Sequence, residues 1–349
     1  MTVSTSLLLS WPGAVEAAWP DEGVAWHYGD PMREQRTAES AAAIVDRSNR
    51  GVLRITGADR LTWLHSLTTQ QLEKLAAGTA AQALILSPNG HVEHHLTLID
   101  DGTATWLHTE PGTAPSLVEF LESMRFMMRV EVADVSADHA VLTVLGPRAG
   151  DLTQGLAGVA ARLEPSSFGA IDLVVARDLL AETAGHLARR GATAAGMWAF
   201  EALRIAAHVP RLGLDTDHRT IPHEVGWIET AVHLYKGCYR GQETVARVHN
   251  LGHPPRRLVL LNLDGSADRL PGHGDPVEAA IDGQGVTVGF TGSAARHYEL
   301  GPIGLALVKR TVPVDAPLEA GGVAAAQEVI VPPDAGANVQ VTLRRRQLR

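Results

Sequence analysis

Cysteine is the scarcest chemistry in this chain: Cys238 stands alone among 349 residues. A single thiol excludes an internal disulfide and fits a reducing compartment. By itself it cannot hold an iron–sulfur cluster or a structural zinc, which take several ligands. Long apolar runs are missing too, and no stretch approaches the roughly 18 residues of a membrane span. The N-terminus lacks a basic segment, and Pro12 breaks its short apolar run, which argues against a signal peptide. These absences lead us to expect a soluble, cytoplasmic protein with no membrane partner. Positive charge is in deficit, with 30 Lys and Arg against 39 Asp and Glu and a net charge of -9. A broad nucleic-acid surface needs a basic face, so direct nucleic-acid binding is not expected. The 16 histidines are scattered and form no His-Glu-x-x-His metal motif. No Gly-rich dinucleotide fingerprint or phosphate-binding P-loop follows any strand-like segment.

What is present is ordinary globular composition, 45% hydrophobic and 20% charged, in a chain long enough for two or three domains. Residues 1–40 read as an irregular lead-in and 40–46 as a short helix. Gly51 to Gly57 alternates like a strand. Ala58 to Leu75 reads as a helix, with Leu61, Leu64, Leu67 and Leu72 on one face and Gly78 as its stop. Strand patterns at 82–87, 91–99 and 104–108 are separated by Pro88-Asn89-Gly90 and Asp101-Gly102, which predicts an antiparallel meander. Helical patterns follow at 115–127, 147–157, 179–190 and 194–208, with strands at 130–132, 140–145 and 171–176. This mixture of hairpins and helices predicts an α+β fold rather than a doubly wound parallel sheet. After Gly252-His-Pro-Pro-Arg-Arg257 only strand-like pieces remain, at 258–263, 277–280, 285–292, 303–307 and 339–343. They predict a small all-β, barrel-like C-terminal domain. The basic Arg344-Arg345-Arg346 is read as a solvated tail or a contact for an anion or RNA.

Chemistry-bearing residues concentrate at 236–247. Lys236 and Arg240 flank Cys238, and nearby cations favour a thiolate. Gly237 and Gly241 suggest a tight backbone that enters a short helix at Gln242. The alternative is a packed turn whose cysteine is a small, inert hydrophobe. Elsewhere, His91, Glu93 and His95 would share one face of a strand and could hold zinc, or could simply be polar residues on a hairpin.

The run Lys236-Gly237-Cys238-Tyr239-x-Gly241-Gln242-Glu243, followed by Ala246-Arg247, resembles the signature of the YgfZ family. These are folate-binding proteins related to the glycine-cleavage T protein, the aminomethyltransferase. The resemblance extends over most of the chain, through Asp46-Arg47-Ser48, Ile55-Thr56-Gly57, Leu67-Thr68-Thr69, Glu201-x-x-Arg204-Ile205, Gly213-x-Asp215 and Pro222-x-Glu224-x-Gly226. It implies three small domains ringed around a folate-sized hole. On that plan residues 1–250 form the folate-binding module, as two interleaved α+β subdomains at about 40–145 and 146–250, and residues 255–349 form the barrel. It also implies tetrahydrofolate or a one-carbon derivative as cofactor. The implied activity is support of iron–sulfur cluster assembly or repair, and through it of tRNA modification, with iron–sulfur enzymes or assembly factors as partners.

Site roles follow by the same resemblance. Cys238 would be the functional thiol, tuned by Lys236 and Arg240. Glu201, Arg204, Glu224, Tyr239, Gln242, Glu243 and Arg247 would contact folate. A carboxylate can accept the two parallel donors of a pterin, so Glu201 is read either in that role or as half of a surface ion pair with Arg204. The loop Asp215-x-x-x-x-Thr220-x-Pro222-x-Glu224 would line the same pocket. Arg247 and His249 would meet the glutamate tail or solvent. One departure matters. Aminomethyltransferases carry an Asp-Asp pair where this chain has His94 and His95, and a histidine does not replace a permanent carboxylate at neutral pH. The sequence therefore reads as a folate-binding accessory protein. A folate-dependent one-carbon transferase or demethylase acting on a small amine is the alternative.

Overall fold

The apolar–polar alternation builds two five-stranded sheets, a closed six-stranded barrel and a two-stranded ribbon in the computed structural model, which describes residues 5–164, 168–281 and 284–338. The ribbon pairs β1 (Val15–Glu16) with β2 (Ala25–His27) and leads into α1 (Pro31–Ser40). Next come β3 (Ala43–Asp46), β4 (Gly51–Thr56) and α2 (Arg60–Leu67). The expected meander follows as β5 (Ala80–Leu86), β6 (Val92–Asp100) and β7 (Ala104–Thr109), then α3 (Ala114–Ser123), β8 (Glu131–Asp134) and β9 (His139–Leu145). The chain continues with α4 (Ala149–Thr153), β10 (Val159–Leu163), β11 (Ala170–Ala176), α5 (Leu180–Arg189), β12 (Thr193–Ala195) and α6 (Met197–Ala206). A 3-10 turn at Pro222–Val225 precedes α7 (Trp227–Thr230) and α8 (Gln242–Leu251). The barrel comprises β13 (Arg256–Leu263), β14 (Pro276–Ile281), β15 (Gln284–His297), β16 (Gly301–Lys309), β17 (Leu318–Ala320) and β18 (Val323–Val329).

The first sheet runs β5-β6-β7-β4-β8 and the second β10-β11-β9-β3-β12. The sheets interleave along the chain, because β3 and β9 belong to the second although β4 to β8 lie between them in sequence. Apolar residues of α2 and α3, such as Trp63, Leu64 and Leu117, close over the first sheet. Leu180 and Leu187 of α5 close over the second. Each large apolar side chain buried this way contributes about 1.5–3 kcal/mol. The barrel closes in the order β13-β16-β15-β14-β17-β18, which leaves no open edge. The α+β fold with an all-β C-terminal barrel is the one the sequence predicts. Among the described residues no helix is long and apolar enough to cross a membrane.

Four local expectations are corrected. The lead-in is not irregular throughout, because α1 is capped by Asp30, whose side chain accepts from the Arg33 N–H at 3.0 Å, with Pro31 in the first turn. Residues 43–46 are not helical; β3 is a fully buried strand between β9 and β12. The helix expected over 58–75 ends at Leu67. Thr68 is extended, and Thr69 donates from its hydroxyl to the Ala231 carbonyl at 2.6 Å while its N–H reaches Leu84. Leu72 is buried regardless, which imitates helical spacing. Finally, His91, Glu93 and His95 do not share a face. The register slips so that His94 pairs with Ile85 while Val92 pairs with Leu86, and Glu93 is the bulged residue between them. The strand read at 339–343 and the basic tail lie outside the described residues.

Candidate functional site

Both sheets, α6 and the segment from His223 to Tyr235 enclose a cavity of about 760 Å³. This falls within the range typical of small-molecule sites. Its floor is ionic. Arg47, just past β3, meets Asp172 of β11 at 3.1 Å. Arg50 donates from Nε to Nδ1 of His108 at 2.9 Å, so the His108 proton sits on Nε2, 3.0 Å from Asp172. Burial pulls His108 down to about 4, so the ring is neutral at pH 7. Arg50 also meets Glu110 at 2.9 Å, and Glu110 meets Arg211 at 2.9 Å. Arg211 continues to Asp21 and Glu201, each at 2.8 Å. Glu201 pairs with Arg204, and Arg204 reaches Asp215 at 2.9 Å. Asp215 in turn accepts the Ser293 N–H of β15 at 2.8 Å. One buried network thus ties both sheets, α6 and the barrel together. Burial alone would raise the pKa of its carboxylates, but the guanidinium groups prevail and hold Glu110 and Asp172 below the usual carboxylate range.

The walls are aromatic and neutral. His95 of β6 lies against Trp227, with ring centroids 4.6 Å apart, and its Nε2 meets Gln82 Oε1 at 3.1 Å. Phe168 and Phe200 form an edge-to-face pair. Burial brings both His94 and His95 down to about 4. The two positions where an Asp-Asp pair was expected for aminomethyl transfer are therefore uncharged at pH 7. His95 lines the cavity and His94 does not.

Among the residues expected to bind folate, Arg204 and His249 line the cavity and the others do not. Glu201 is no surface residue; it and Arg204 are 8% and 1% exposed. Its Oε1 accepts from Arg204 Nε at 2.9 Å and from Arg211 at 2.8 Å, and its Oε2 accepts from Arg204 again. About one of a carboxylate's four acceptor sites remains, so two parallel pterin donors cannot be taken in this arrangement. Glu224 has both oxygens on Arg256, at 2.8 and 2.9 Å, and also accepts the Ile221 N–H. Tyr239 is packed in the core beneath the barrel. Gln242 opens α8. Glu243 and Arg247 form an exposed pair at 3.0 Å, the kind worth little. Of the polar loop, Asp215, Thr220, Pro222 and Glu224 are buried behind the wall, while His249 does line the cavity.

Cys238 is exposed. Its flanking cations have other partners. Lys236 is buried, and its ammonium donates to the carbonyls of His65, Thr68 and Gln70 at the end of α2. Burial lowers it to about 8, which leaves it charged at pH 7. Arg240 pairs with Glu93 at 2.9 Å and stacks over Phe120. These cations pin the loop to the first sheet's helices rather than serving as free neighbours of the thiol. Gly241, at φ +81°, seats the loop against the β5–β6 turn; a Cβ there would stand 2.6 Å from the Ser87 carbonyl oxygen. The cavity lining runs up to Tyr235, three residues before the thiol.

Sequence reasoning missed Asp21, Arg50, His108, Glu110, Asp172 and Arg211. The available signal was slight: His108 and Glu110 alternate at the end of β7, placing two ionisable groups on one face.

Comparison with known proteins agrees with this architecture. Residues 24–174 match the family model described as GCVT N-terminal domain. The aminomethyltransferase of Symbiobacterium thermophilum is 28% identical over 306 residues, spanning 78% of this chain and 80% of the relative. The chloroplastic Arabidopsis thaliana protein At1g60990 is 26% identical over 318 residues, 81% of this chain and 70% of the relative. Among solved structures, the glycine cleavage system aminomethyltransferase T from Bartonella henselae superposes with a TM-score of 0.79 at 17% identity, covering 96% of this chain and 98% of that one. Across nearly its whole length the chain has the fold of that aminomethyltransferase, with a match to the GCVT N-terminal domain over residues 24–174.

Proposed function

We propose that this protein binds tetrahydrofolate or a one-carbon derivative in the central cavity. We further propose that it works in the manner of the YgfZ family, as an accessory protein for iron–sulfur enzymes, with Cys238 as its functional thiol. The observation that carries this reading is the cavity of about 760 Å³, in an aminomethyltransferase fold, with neutral His95 in its wall. The space and the aromatic walls suit a pterin and its aryl amide. What is lacking is a standing negative charge at the position of the Asp-Asp pair, so stabilisation of a cationic transfer intermediate there is unsupported. The exposed thiol, three residues beyond the cavity lining in sequence, supports a task performed on a partner. Loss of iron–sulfur enzyme activity would then impair tRNA modification indirectly.

A second reading, a folate-dependent one-carbon transferase acting on a small amine, is favoured by the aminomethyltransferase relatives. Three measurements test these readings. Calorimetric titration with tetrahydrofolate should show one site per chain; no binding would overturn the folate assignment. In cells deprived of the endogenous activity, wild type should restore iron–sulfur enzyme activity and Cys238→Ala should not. Restoration by Cys238→Ala would remove the thiol's role, and turnover of glycine-derived or N-methyl amines would favour the transferase.

A further inference from the structure

His223 sits in the 3-10 turn between α6 and α7, is 3% exposed and lines the cavity. Its ring stands 6.1 Å from that of His249. His249 is tied to Asn338, whereas neither ring nitrogen of His223 meets a hydrogen-bond partner among the described residues. This is unusual, because buried polar atoms are nearly always paired and an unpaired one is costly. The fold needs no polar atom at this position: Pro222 before it and Val225 after it are buried, and the backbone of the turn is held by Glu224. The four arginines of the cavity, in contrast, are each engaged with a carboxylate.

We propose that His223 is the residue that selects the cavity's ligand, by hydrogen-bonding an uncharged polar group of it, an amide or lactam, from its own side of the pocket. The inference rests on the reading that the cavity holds a small molecule, and it adds which wall recognises it. A neutral imidazole offers one N–H donor and one acceptor lone pair. Burial and the neighbouring His249 keep the ring in that form, down at about 4. A carboxylate or phosphate would want more donors than this wall has, and the arginines of the cavity are already neutralised. An amide or lactam presents the matching acceptor and donor, and a folate carries both kinds of group.

The test uses the full-length protein, with tetrahydrofolate as probe, in wild type, His223→Leu and His223→Gln. Leucine keeps the volume and removes both polar atoms, while glutamine keeps a donor and an acceptor. His223→Leu should lower affinity about tenfold or more, as expected for losing one or two buried hydrogen bonds. His223→Gln should recover part of it. The melting temperature of ligand-free His223→Leu should be equal to or above that of wild type, because no hydrogen bond within the described residues is lost and an orphaned polar group is removed. A purely structural histidine would give the reverse, and a lower melting temperature or failure to fold would overturn the proposal. Equal affinity of wild type and His223→Leu would overturn it while leaving folate binding intact. No binding by wild type would overturn the folate reading itself, and with it this contact.

Discussion

Replacing Arg211 with methionine removes the guanidinium that Asp21, Glu110 and Glu201 share. The three acids are not equally exposed to the loss. Glu110 keeps Arg50 at 2.9 Å, and Glu201 keeps Arg204. Asp21 loses both charged contacts, at 2.8 and 3.0 Å, and retains Asn49 at 3.4 Å. One uncompensated buried carboxylate costs about 3–5 kcal/mol, a large part of the roughly 5–15 kcal/mol that holds a typical domain folded. Adding Asp21→Asn removes the stranded charge, so the double variant should regain about 1–3 kcal/mol relative to Arg211→Met. The pH dependence should change as well. In wild type Glu110 titrates below its unfolded value of about 4.3, chiefly because Arg211 and then Arg50 outweigh the cost of burial. Its stabilisation is therefore present above that pH and is lost as pH falls through the depressed value. Without Arg211 the depression shrinks, and the variant should lose less stability than wild type between about pH 5 and 3. Urea denaturation at several pH values reads all three effects. A variant within about 1 kcal/mol of wild type at pH 7, or a double variant no better than the single, would refute the claim that this network is a mutually dependent unit.

Two further outcomes follow from the cysteine loop. Gly241→Ala forces a side chain into a left-handed backbone, 2.6 Å from the Ser87 oxygen, so it should cost at least about 1–2 kcal/mol; a thermal melt matching wild type would contradict the seating of the loop on the β5–β6 turn. Cys238 is exposed, so a thiol reagent such as DTNB should titrate one equivalent in the native protein without denaturant. Zero equivalents until unfolding would show the thiol to be covered.

Legibility along the chain tracks the distance over which each element's partners lie. The β5–β6–β7 meander was readable because its turns, Asn89-Gly90 and Asp101-Gly102, and its pairing are local. β3 was not, since four residues of Ala-Ile-Val-Asp become a strand only when β9, nearly 100 residues later, and β12, 150 residues later, pair with them. The end of α2 was hidden for a similar reason: Thr69 leaves the helix to reach Ala231, 162 residues away. The bulge at Glu93 erased a face that simple alternation predicts, and it freed that carboxylate to meet Arg240.

The sequence by itself determined the α+β class, the C-terminal barrel and the exceptional character of the loop around Cys238, because these rest on periodicity, turn chemistry and one uncommon run of residues. Only the tertiary structure decided what the ionisable residues do. Glu201 looked available for a pterin and proved committed to Arg204 and Arg211. Lys236 looked like a neighbour for the thiol and proved to be a clamp on the end of α2. His223, one letter in a polar loop, proved to be buried at the cavity wall with neither ring nitrogen hydrogen-bonded among the described residues. The physical reason is that a charge or a hydrogen bond acts over a few ångströms of space. The groups that answer one another here are drawn from Asp21, Arg47, Glu110, Asp172, Glu201 and Arg211, positions that meet only after both sheets have formed.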